Sequence, residues 1–321
     1  DAYPAYGLNT PAEAALAMRH SDGNLSTALV ATGSEVKSEG NTTVTTIHLK
    51  DPVYNIKVDL KYRAYNDVDM IEAWTEIANG EKGTVTLTTF ASAMLPIRRG
   101  DVWMSHLSGT WANEGQLSHE KLQPGEFVIR NNDGTRNSHT DHGEVMFSLN
   151  GKGQENTGDV IGAAIVYSGN YKLKTVTDDT EYHYFFAGIN EQNSEYHLKK
   201  GETFKTPALA LTYSTEGLSG ASRNFHKWGR KYILAHGDKE RDILLNSWEG
   251  VYFDINQKGM DQMMADIHSM GGELFVMDDG WFGKKYPRKT DNCALGDWVV
   301  DTNKLPDGIE GLLRDAKKNG V

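Results

Sequence analysis

A change of hydrophobic pattern near residue 238 divides the chain into two kinds of structure. Before it, NIKVDLKYRAY (55–65) alternates apolar and charged side chains, as in an antiparallel strand that is buried on one face. Turns rich in Gly, Asn and Asp separate further strand candidates. Many short strands with turn signals predict a large β-sandwich. The further candidates are residues 43–49, 70–78, 84–95, 160–169 and 203–214.

The segment that follows has helical rather than alternating spacing. Phe225, Trp228, Tyr232 and Ile233 recur at intervals that place them on one side of a helix. We therefore expect residues 219–240 to form a helical connector.

After residue 240 the pattern becomes strand, helix, strand, helix. DILLNSW (242–248) and ELFVMDD (273–279) are compact apolar strands. KGMDQMMADIHSMGG (258–272) is an amphipathic helix, and a second helix is expected to begin at Pro306 and end at Gly320. Alternating βα units predict a parallel sheet, either doubly wound or a (β/α)8 barrel. Because two units cannot close a barrel, we expect the natural protein to continue beyond this chain.

The apolar stripe of the first of these helices predicts core packing rather than a cofactor site. Its members recur at helical spacing, and methionine is a common filler of hydrophobic cores. They are Met260, Met263, Met264, Ile267 and Met270.

Composition excludes several classes of protein. The net charge of −11 disfavours a nucleic-acid or anionic-membrane partner, and no apolar run approaches the length of a membrane span. The single cysteine, Cys293, rules out an internal disulfide. No signal peptide is visible, so the compartment stays open between bacterial cytoplasm and periplasm.

Two adjacent carboxylates, Asp278 and Asp279, stand at the end of the second apolar strand. Ligands of parallel α/β folds bind at the carboxyl ends of strands. Neighbouring side chains on a regular strand point to opposite sides, so both acids can reach one ligand only if the backbone turns at once, which Gly280 permits. The alternative is a polar strand terminus with an Asp capping the next loop. Trp281 and Phe282 favour a sugar site, since aromatic faces stack on sugar rings.

Two further tryptophans are expected on the same rim. Trp248 follows the preceding strand, and Asp297 and Trp298 come from the loop after DDGWFG. The alternative is that these tryptophans cap the core, as buried Trp often does.

These motifs, LLNSWEGVYFD, DDGWFG and LGDW…KLPDGI in that order, resemble the start of the catalytic barrel of glycoside hydrolase family 36, the α-galactosidases. GTWANEG, SGNYKL and the segment that leads into the connector resemble the family's N-terminal part. The resemblance implies a multi-domain β then α/β chain: an antiparallel β-supersandwich (1–218), a helical connector (219–240) and the first βα units of a (β/α)8 TIM barrel (241–321). It also implies a retaining, exo-acting α-galactosidase that removes terminal α-linked galactose from oligosaccharides of the melibiose and raffinose type.

The resemblance assigns binding rather than catalysis to the acids seen here. Asp278 and Asp279 would hold galactose hydroxyls, typically those at C4 and C6, and Trp248 would wall the site. Trp281, Cys293 and Asp297 are further candidates for its lining. The family carries its nucleophile and acid/base on later barrel strands, so no catalytic residue is expected before residue 321, and this chain alone is expected to be inactive. No cofactor and no metal are implied.

The N-terminal segment departs from the family pattern. Many members carry an Asp and an Arg shortly after a YG pair, and that Asp reaches a neighbouring subunit. Here Leu8, Asn9, Thr10 and Pro11 follow Gly7. We expect a homo-oligomer for the full-length protein, with dimer and tetramer both open.

Three alternatives stay open. An α-N-acetylgalactosaminidase or a galactosyl-transferring enzyme would share the framework, and the sandwich alone would suit a non-catalytic carbohydrate-binding module.

The segment SHTDHGE brings four possible metal ligands close together in sequence: His139, Asp141, His142 and Glu144. Their spacing matches known metal-site patterns only loosely, so a polar turn is expected instead.

Overall fold

The computed structural model of the protein contains two compact units, Asp1–Gly237 and Asp238–Val321. None of the helices in the described part of the chain is long and apolar enough to span a membrane. The structure describes residues 2–7, 13–97, 99–136 and 140–321.

In the residues that the structure describes, the first unit is built from antiparallel strands in two sheets. Among the described residues, the smaller sheet has the order β1-β6-β13-β12-β9, with β14 also paired to β6. The larger has the order β2-β3-β4-β5-β16-β11-β10-β7-β8, with β15 paired to β5. The strands are β1 (Leu16–Arg19), β2 (Val30–Glu39), β3 (Thr42–Lys50), β4 (Ile56–Tyr65), β5 (Ile71–Asn79), β6 (Val85–Ile97), β7 (Trp103–Thr110), β8 (Asn113–Lys121), β9 (Gly125–Arg130), β10 (Asp141–Ser148), β11 (Val160–Val166), β12 (Tyr171–Thr177), β13 (His183–Ile189), β14 (Tyr196–Leu198), β15 (Thr203–Lys205) and β16 (Ala208–Ser214).

The core of this unit lies between the two sheets. The alternation in β4 buries Ile56, Val58 and Leu60, because every second side chain of a strand faces the same side. Phe147 of the larger sheet packs edge-on against Phe185 of the smaller one, with ring centroids 5.0 Å apart. Both rings are fully buried, as expected for the inner faces of a sandwich.

The segment with helical spacing is helical as far as Ile233, whereas residues 234–240 of the predicted connector are not. Helix α1 (Gly217–Trp228) runs directly into a π-helical turn (Gly229–Ile233). Trp228 is buried with Met70 and Ala210, and Phe225 and Tyr232 pack against this cluster.

The second unit carries the predicted βαβα pattern. Strands β17 and β18 pair in parallel, with Leu244 opposite Leu274 and Asn246 opposite Val276. Its elements are β17 (Leu244–Asn246), α2 (Trp248–Val251), α3 (Gln257–Ser269), β18 (Leu274–Val276) and α4 (Gly308–Asn319).

The methionine stripe of α3 packs as predicted except at its end. Met260, Met264 and Ile267 are buried, but Met270 is 73% exposed. The prediction for Met270 is wrong because the residue caps the helix and Gly271, with φ +88°, then turns the chain away.

The predicted start of α4 at Pro306 is also wrong. The helix begins at Gly308, whose φ of +65° prevents regular helical backbone from continuing back to Pro306. Its end is as predicted, since Gly320 adopts the left-handed conformation with φ +78°.

The SHTDHGE segment is not a turn where the structure describes it. Asp141, His142 and Glu144 belong to β10, because the pairing of this strand with β7 already begins at Asp141. His139 lies outside the described residues, as do Leu8 to Pro11. Within the described ranges, no three His, Cys, Asp or Glu side chains are grouped so as to hold a metal ion.

Candidate functional site

Asp278 stands just beyond the carboxyl end of β18 and is oriented by the end of β17. The side-chain amide of Asn246 donates to Asp278 Oδ2 at 2.7 Å. The Asp278 backbone N–H donates to Oγ of the fully buried Ser247 at 3.0 Å. The carboxyl ends of parallel strands lie at one edge of a sheet, which explains why residues 32 positions apart in the chain meet here.

The chain turns sharply after the second acid. Gly280 has φ +101°, and a Cβ at this position would lie 2.9 Å from the backbone of Phe253. The turn that the sequence permits is therefore present, and only glycine fits it without strain. The two carboxylates nevertheless have different side-chain partners, Asn246 for Asp278 and Arg288 for Asp279.

Asp279 is held by Arg288 in a two-pronged ion pair. Arg288 Nε donates to Asp279 Oδ1 at 2.9 Å, and Nη2 donates to Oδ2 at 2.7 Å. The backbone N–H of Gly280 adds a bond to Oδ1 at 2.7 Å. The hydrogen bonds from Arg288 hold the pKa of the Asp279 carboxyl below its usual range.

Arg288 is itself enclosed. It is 4% exposed, and its guanidinium lies 5.4 Å from the ring centre of Phe253 and 5.6 Å from that of Phe282. Its Nη1 donates to the carbonyl of Cys293 at 2.7 Å. A guanidinium that meets aromatic rings with its face keeps its hydrogen-bonding edge free for the carboxylate.

Lys304 fastens the loops around this ion pair. Its ammonium donates to the carbonyl oxygens of Phe253 and Gly280, both at 2.7 Å, and of Arg288 at 3.2 Å. Three acceptors match the three N–H donors of a protonated lysine. Burial lowers the pKa of Lys304 below its usual value.

Trp248 begins the short helix α2 directly after β17 and is half-buried. Its indole meets the rings of Tyr252 and Phe253 edge-on, with centroids 5.2 and 4.9 Å away. Tyr252 has φ +48°, a conformation that is uncommon for a bulky residue and that occurs at functional sites.

The other two tryptophans have different surroundings. Trp281 packs against the core cluster that contains Leu305 and Met264. Trp298 is 62% exposed and lies on Phe282, with ring centroids 4.6 Å apart. Trp281 therefore has the core-capping contacts of the alternative that the sequence left open, while Trp298 presents a face to solvent.

Cys293 and Asp297 lie in the loop between β18 and α4, where both are half-buried. The Thr290 hydroxyl and the backbone N–H of Lys289 each lie 3.4 Å from Cys293 Sγ. These contacts lower the pKa of the thiol to about 7. Asp297 Oδ2 accepts a hydrogen bond from the backbone N–H of Lys285 at 3.2 Å.

The contacts connect Asp279 and Cys293 through Arg288, and Asp278 to the end of β17 through Asn246. Sequence reasoning missed Arg288 and Lys304. The signal available for Lys304 was its place in the KLPDGI motif, whereas Arg288 stands in a loop, KKYPRKT, with no pattern of its own.

Comparison with known proteins identifies the family of the chain. The family model described as the glycosyl hydrolase family 36 N-terminal domain matches residues 1–199, and the model described as melibiase matches residues 203–321. The chain belongs to glycoside hydrolase family 36. The predicted β-sandwich followed by the start of a TIM barrel is thereby confirmed.

Individual members of family 36 are similar along nearly all of the chain. The α-galactosidase C of Emericella nidulans is 31% identical over 86% of this chain and 37% of its own length. The crystal structure of α-galactosidase AgaB from Geobacillus stearothermophilus aligns with a TM-score of 0.90 at 29% identity, over 99% of this chain and 46% of that one. A variant of AgaA from the same organism, solved in complex with stachyose, aligns with a TM-score of 0.91 at 28% identity and the same coverage. The chain thus spans less than half the length of these relatives.

Proposed function

We propose that this chain supplies part of the galactose-binding site of a retaining, exo-acting α-galactosidase, which removes terminal α-linked galactose from oligosaccharides of the melibiose and raffinose type. The observation that carries the proposal is the pair Asp278 and Asp279, oriented at the carboxyl end of a parallel strand in a chain of family 36. The stachyose complex of the AgaA variant supports a small oligosaccharide as the substrate.

In this proposal the two acids bind galactose and do not react with it. Each carboxylate keeps acceptor capacity beyond the bonds described above, since a carboxylate has about four lone-pair sites. The galactose hydroxyls at C4 and C6 would donate to them. Trp248 would form a wall against the apolar face of the sugar, with Trp281, Cys293 and Asp297 as further lining candidates.

The chemistry of a retaining glycosidase requires two more carboxyl groups. A nucleophile and an acid/base stand about 5–5.5 Å apart across the glycosidic bond. We assign neither role within this chain and propose that both are supplied by later strands of the full-length barrel. On this proposal residues 1–321 alone do not turn over substrate.

The same proposal extends to organisation and assembly. Residues 1–218 would form the supersandwich, 219–240 the connector and 241–321 the opening of the barrel, and the full-length protein would be a homo-oligomer. Light scattering on the full-length protein would give the number of subunits, and a monomer at assay concentration would contradict the assembly.

The function is tested by the hydrolysis of p-nitrophenyl α-D-galactopyranoside, with the full-length gene product and residues 1–321 compared side by side. We expect turnover by the long form only. Turnover by residues 1–321 would mean that the acids in this chain are a working catalytic pair, which would contradict the roles assigned to Asp278 and Asp279.

Other substrates, and residues 1–238 alone, separate the rival functions. Hydrolysis of the α-N-acetylgalactosaminide alone would identify the N-acetylgalactosaminidase. Galactosyl transfer to sucrose without net hydrolysis would identify the transferring enzyme. If the full-length protein turns over no glycoside but residues 1–238 bind glycans, a carbohydrate-binding module is the better description.

A further inference from the structure

We propose that Arg288 is a positioning residue of the sugar site: it fixes the orientation of Asp279 and offsets the charge repulsion between two adjacent carboxylates at one strand end. This inference rests on the proposed function and extends it to a residue that does not touch the substrate in our account. It follows from the geometry of the ion pair, the enclosure of Arg288 and the distribution of charge between the two acids.

The first observation is the geometry of the ion pair. The guanidinium engages both carboxylate oxygens of Asp279, through Nε at 2.9 Å and Nη2 at 2.7 Å. Two parallel bonds fix the plane of the carboxylate, which a single bond cannot do. With the Gly280 N–H also on Oδ1, the remaining acceptor capacity is concentrated on Oδ2, so a sugar hydroxyl would meet Asp279 in one orientation.

The second observation is that Arg288 cannot easily move. Its guanidinium lies 5.4 and 5.6 Å from the ring centres of Phe253 and Phe282 and also donates to the carbonyl of Cys293. Its own carbonyl accepts from Lys304, whose ammonium also binds the carbonyls of Phe253 and Gly280. Lys304 thus joins three backbone segments, those of Phe253, Gly280 and Arg288, around the ion pair. The orientation of Asp279 therefore depends on these contacts and not on a flexible surface ion pair.

The third observation concerns charge. Asp278 and Asp279 are adjacent, and their like charges repel. Asp278 has a neutral partner in Asn246, whereas Asp279 has a cation. A cation on Asp279 alone offsets the repulsion between the two carboxylates. Asp278 is then able to accept a hydrogen bond from a hydroxyl group. The lowered pKa of Asp279 has Arg288 as its largest cause and agrees with this arrangement.

The experiment compares full-length wild type with Arg288→Ala, Arg288→Lys and the exposed neighbour Lys284→Ala, using p-nitrophenyl α-D-galactopyranoside. We expect Arg288→Ala to lower kcat/KM by about 100-fold, mainly through KM, since ground-state binding of the hydroxyl is lost. Arg288→Lys should recover only part of this, because an ammonium cannot form the two parallel bonds. Added guanidinium ion should restore activity to Arg288→Ala and leave Lys284→Ala unchanged.

A double-variant cycle tests whether Arg288 acts through Asp279. In the Asp279→Asn background, Arg288→Ala should cost little further activity, because the carboxylate that it positions is gone. Fully additive losses would overturn the proposal.

The remaining outcomes are also decisive. Kinetics of Arg288→Ala or of a normally folded Arg288→Lys that match those of Lys284→Ala would overturn the positioning role while leaving the α-galactosidase function standing. If Arg288→Ala does not fold, Arg288→Lys carries the test, both alone and in the Asp279→Asn background. If wild type hydrolyses no α-galactoside, the proposed function fails and the positioning role fails with it, an outcome that is recognised before any variant is made.

Discussion

The side-chain amide of Asn246 lies 2.7 Å from Oδ2 of Asp278 and so joins the carboxyl ends of two parallel strands. The other end of the same amide, Oδ1, accepts from the backbone N–H of Trp248 at 2.8 Å. One side chain therefore orients both the Asp278 carboxylate and the start of helix α2, which carries Trp248. Its substitution should disturb both at once.

Replacing Asn246 by Ala should lower kcat/KM of the full-length enzyme by about tenfold to 100-fold, the range of a lost hydrogen bond to a charged group. Asn246→Asp should be worse than Ala at neutral pH, because a second carboxylate would face Asp278. Steady-state kinetics check the order of the two variants. Gln262→Ala, an exposed amide of α3, serves as the control, and equal kinetics for all three variants would contradict the role of Asn246.

Replacing Asp279 by Ala should remove most activity and also destabilise the second unit. Arg288, which is 4% exposed, would be left without its partner, and breaking a buried ion pair costs about 3–5 kcal/mol. Because the Asp279 side chain is 23% exposed, we expect the lower end of that range. Asp279→Asn should keep the fold better and is the cleaner variant for kinetics. Denaturant unfolding checks this, and equal stability of the Ala variant and wild type would show that the ion pair contributes nothing.

The same ion pair predicts a dependence of stability on pH. The folded pKa of Asp279 lies below its unfolded value of about 3.9, so the contribution of its charge is present above that value and is lost as the pH falls through the folded pKa. The difference in free energy of unfolding between wild type and Asp279→Asn should therefore be constant at neutral pH and shrink below about pH 4. A difference that persists unchanged at lower pH would contradict this origin.

Local patterns predicted the elements of this chain well because their cause is local. The alternation of Ile56, Val58 and Leu60 and the helical spacing of Met260 and Met264 each reflect one buried face, and both are found as predicted. Errors occur where a pattern meets an element end. Met270 continues the methionine stripe in sequence but lies just beyond the end of α3. The candidate strand 203–214 is divided into β15 and β16 around Pro207, because proline has no N–H to donate to a sheet.

The contacts of the site were less accessible from sequence. The position of Asp278 and Asp279 is set by one strand and its carboxyl end, and the DDGWFG motif marks that end in the sequence. The pairing of Asp279 with Arg288 instead requires the loop of residues 281–288 to fold back, and Lys304 reaches three carbonyls that lie 16 to 51 positions away in the chain. Such closure depends on backbone turns at Gly280 and Gly283, with φ of +101° and +97°, and periodicity carries no information about it.

The methionine stripe gives a matched pair of stability variants. Met264→Ala should destabilise the protein by about 2–4 kcal/mol, since it removes a side chain that is 1% exposed. Met270→Ala removes the same atoms from a side chain that is 73% exposed and should change stability by less than about 0.5 kcal/mol. Denaturant unfolding monitored by tryptophan fluorescence compares them. Equal effects would mean that the stripe does not form the core of this unit.

Cys293 should be alkylated at a rate that follows a pKa of about 7 rather than the usual value near 9. The thiolate is the reactive form, so the rate of carboxamidomethylation should rise with pH and reach half its maximum near pH 7. Thr290→Val removes the largest cause of the shift and should move the midpoint upward, which mass spectrometry of the modified peptide can measure. Lys284→Ala should leave the midpoint in place.

If Cys293 lines the sugar pocket, complete alkylation with a bulky reagent should also block hydrolysis, and galactose should protect the thiol. Unchanged turnover after complete alkylation would remove Cys293 from the site.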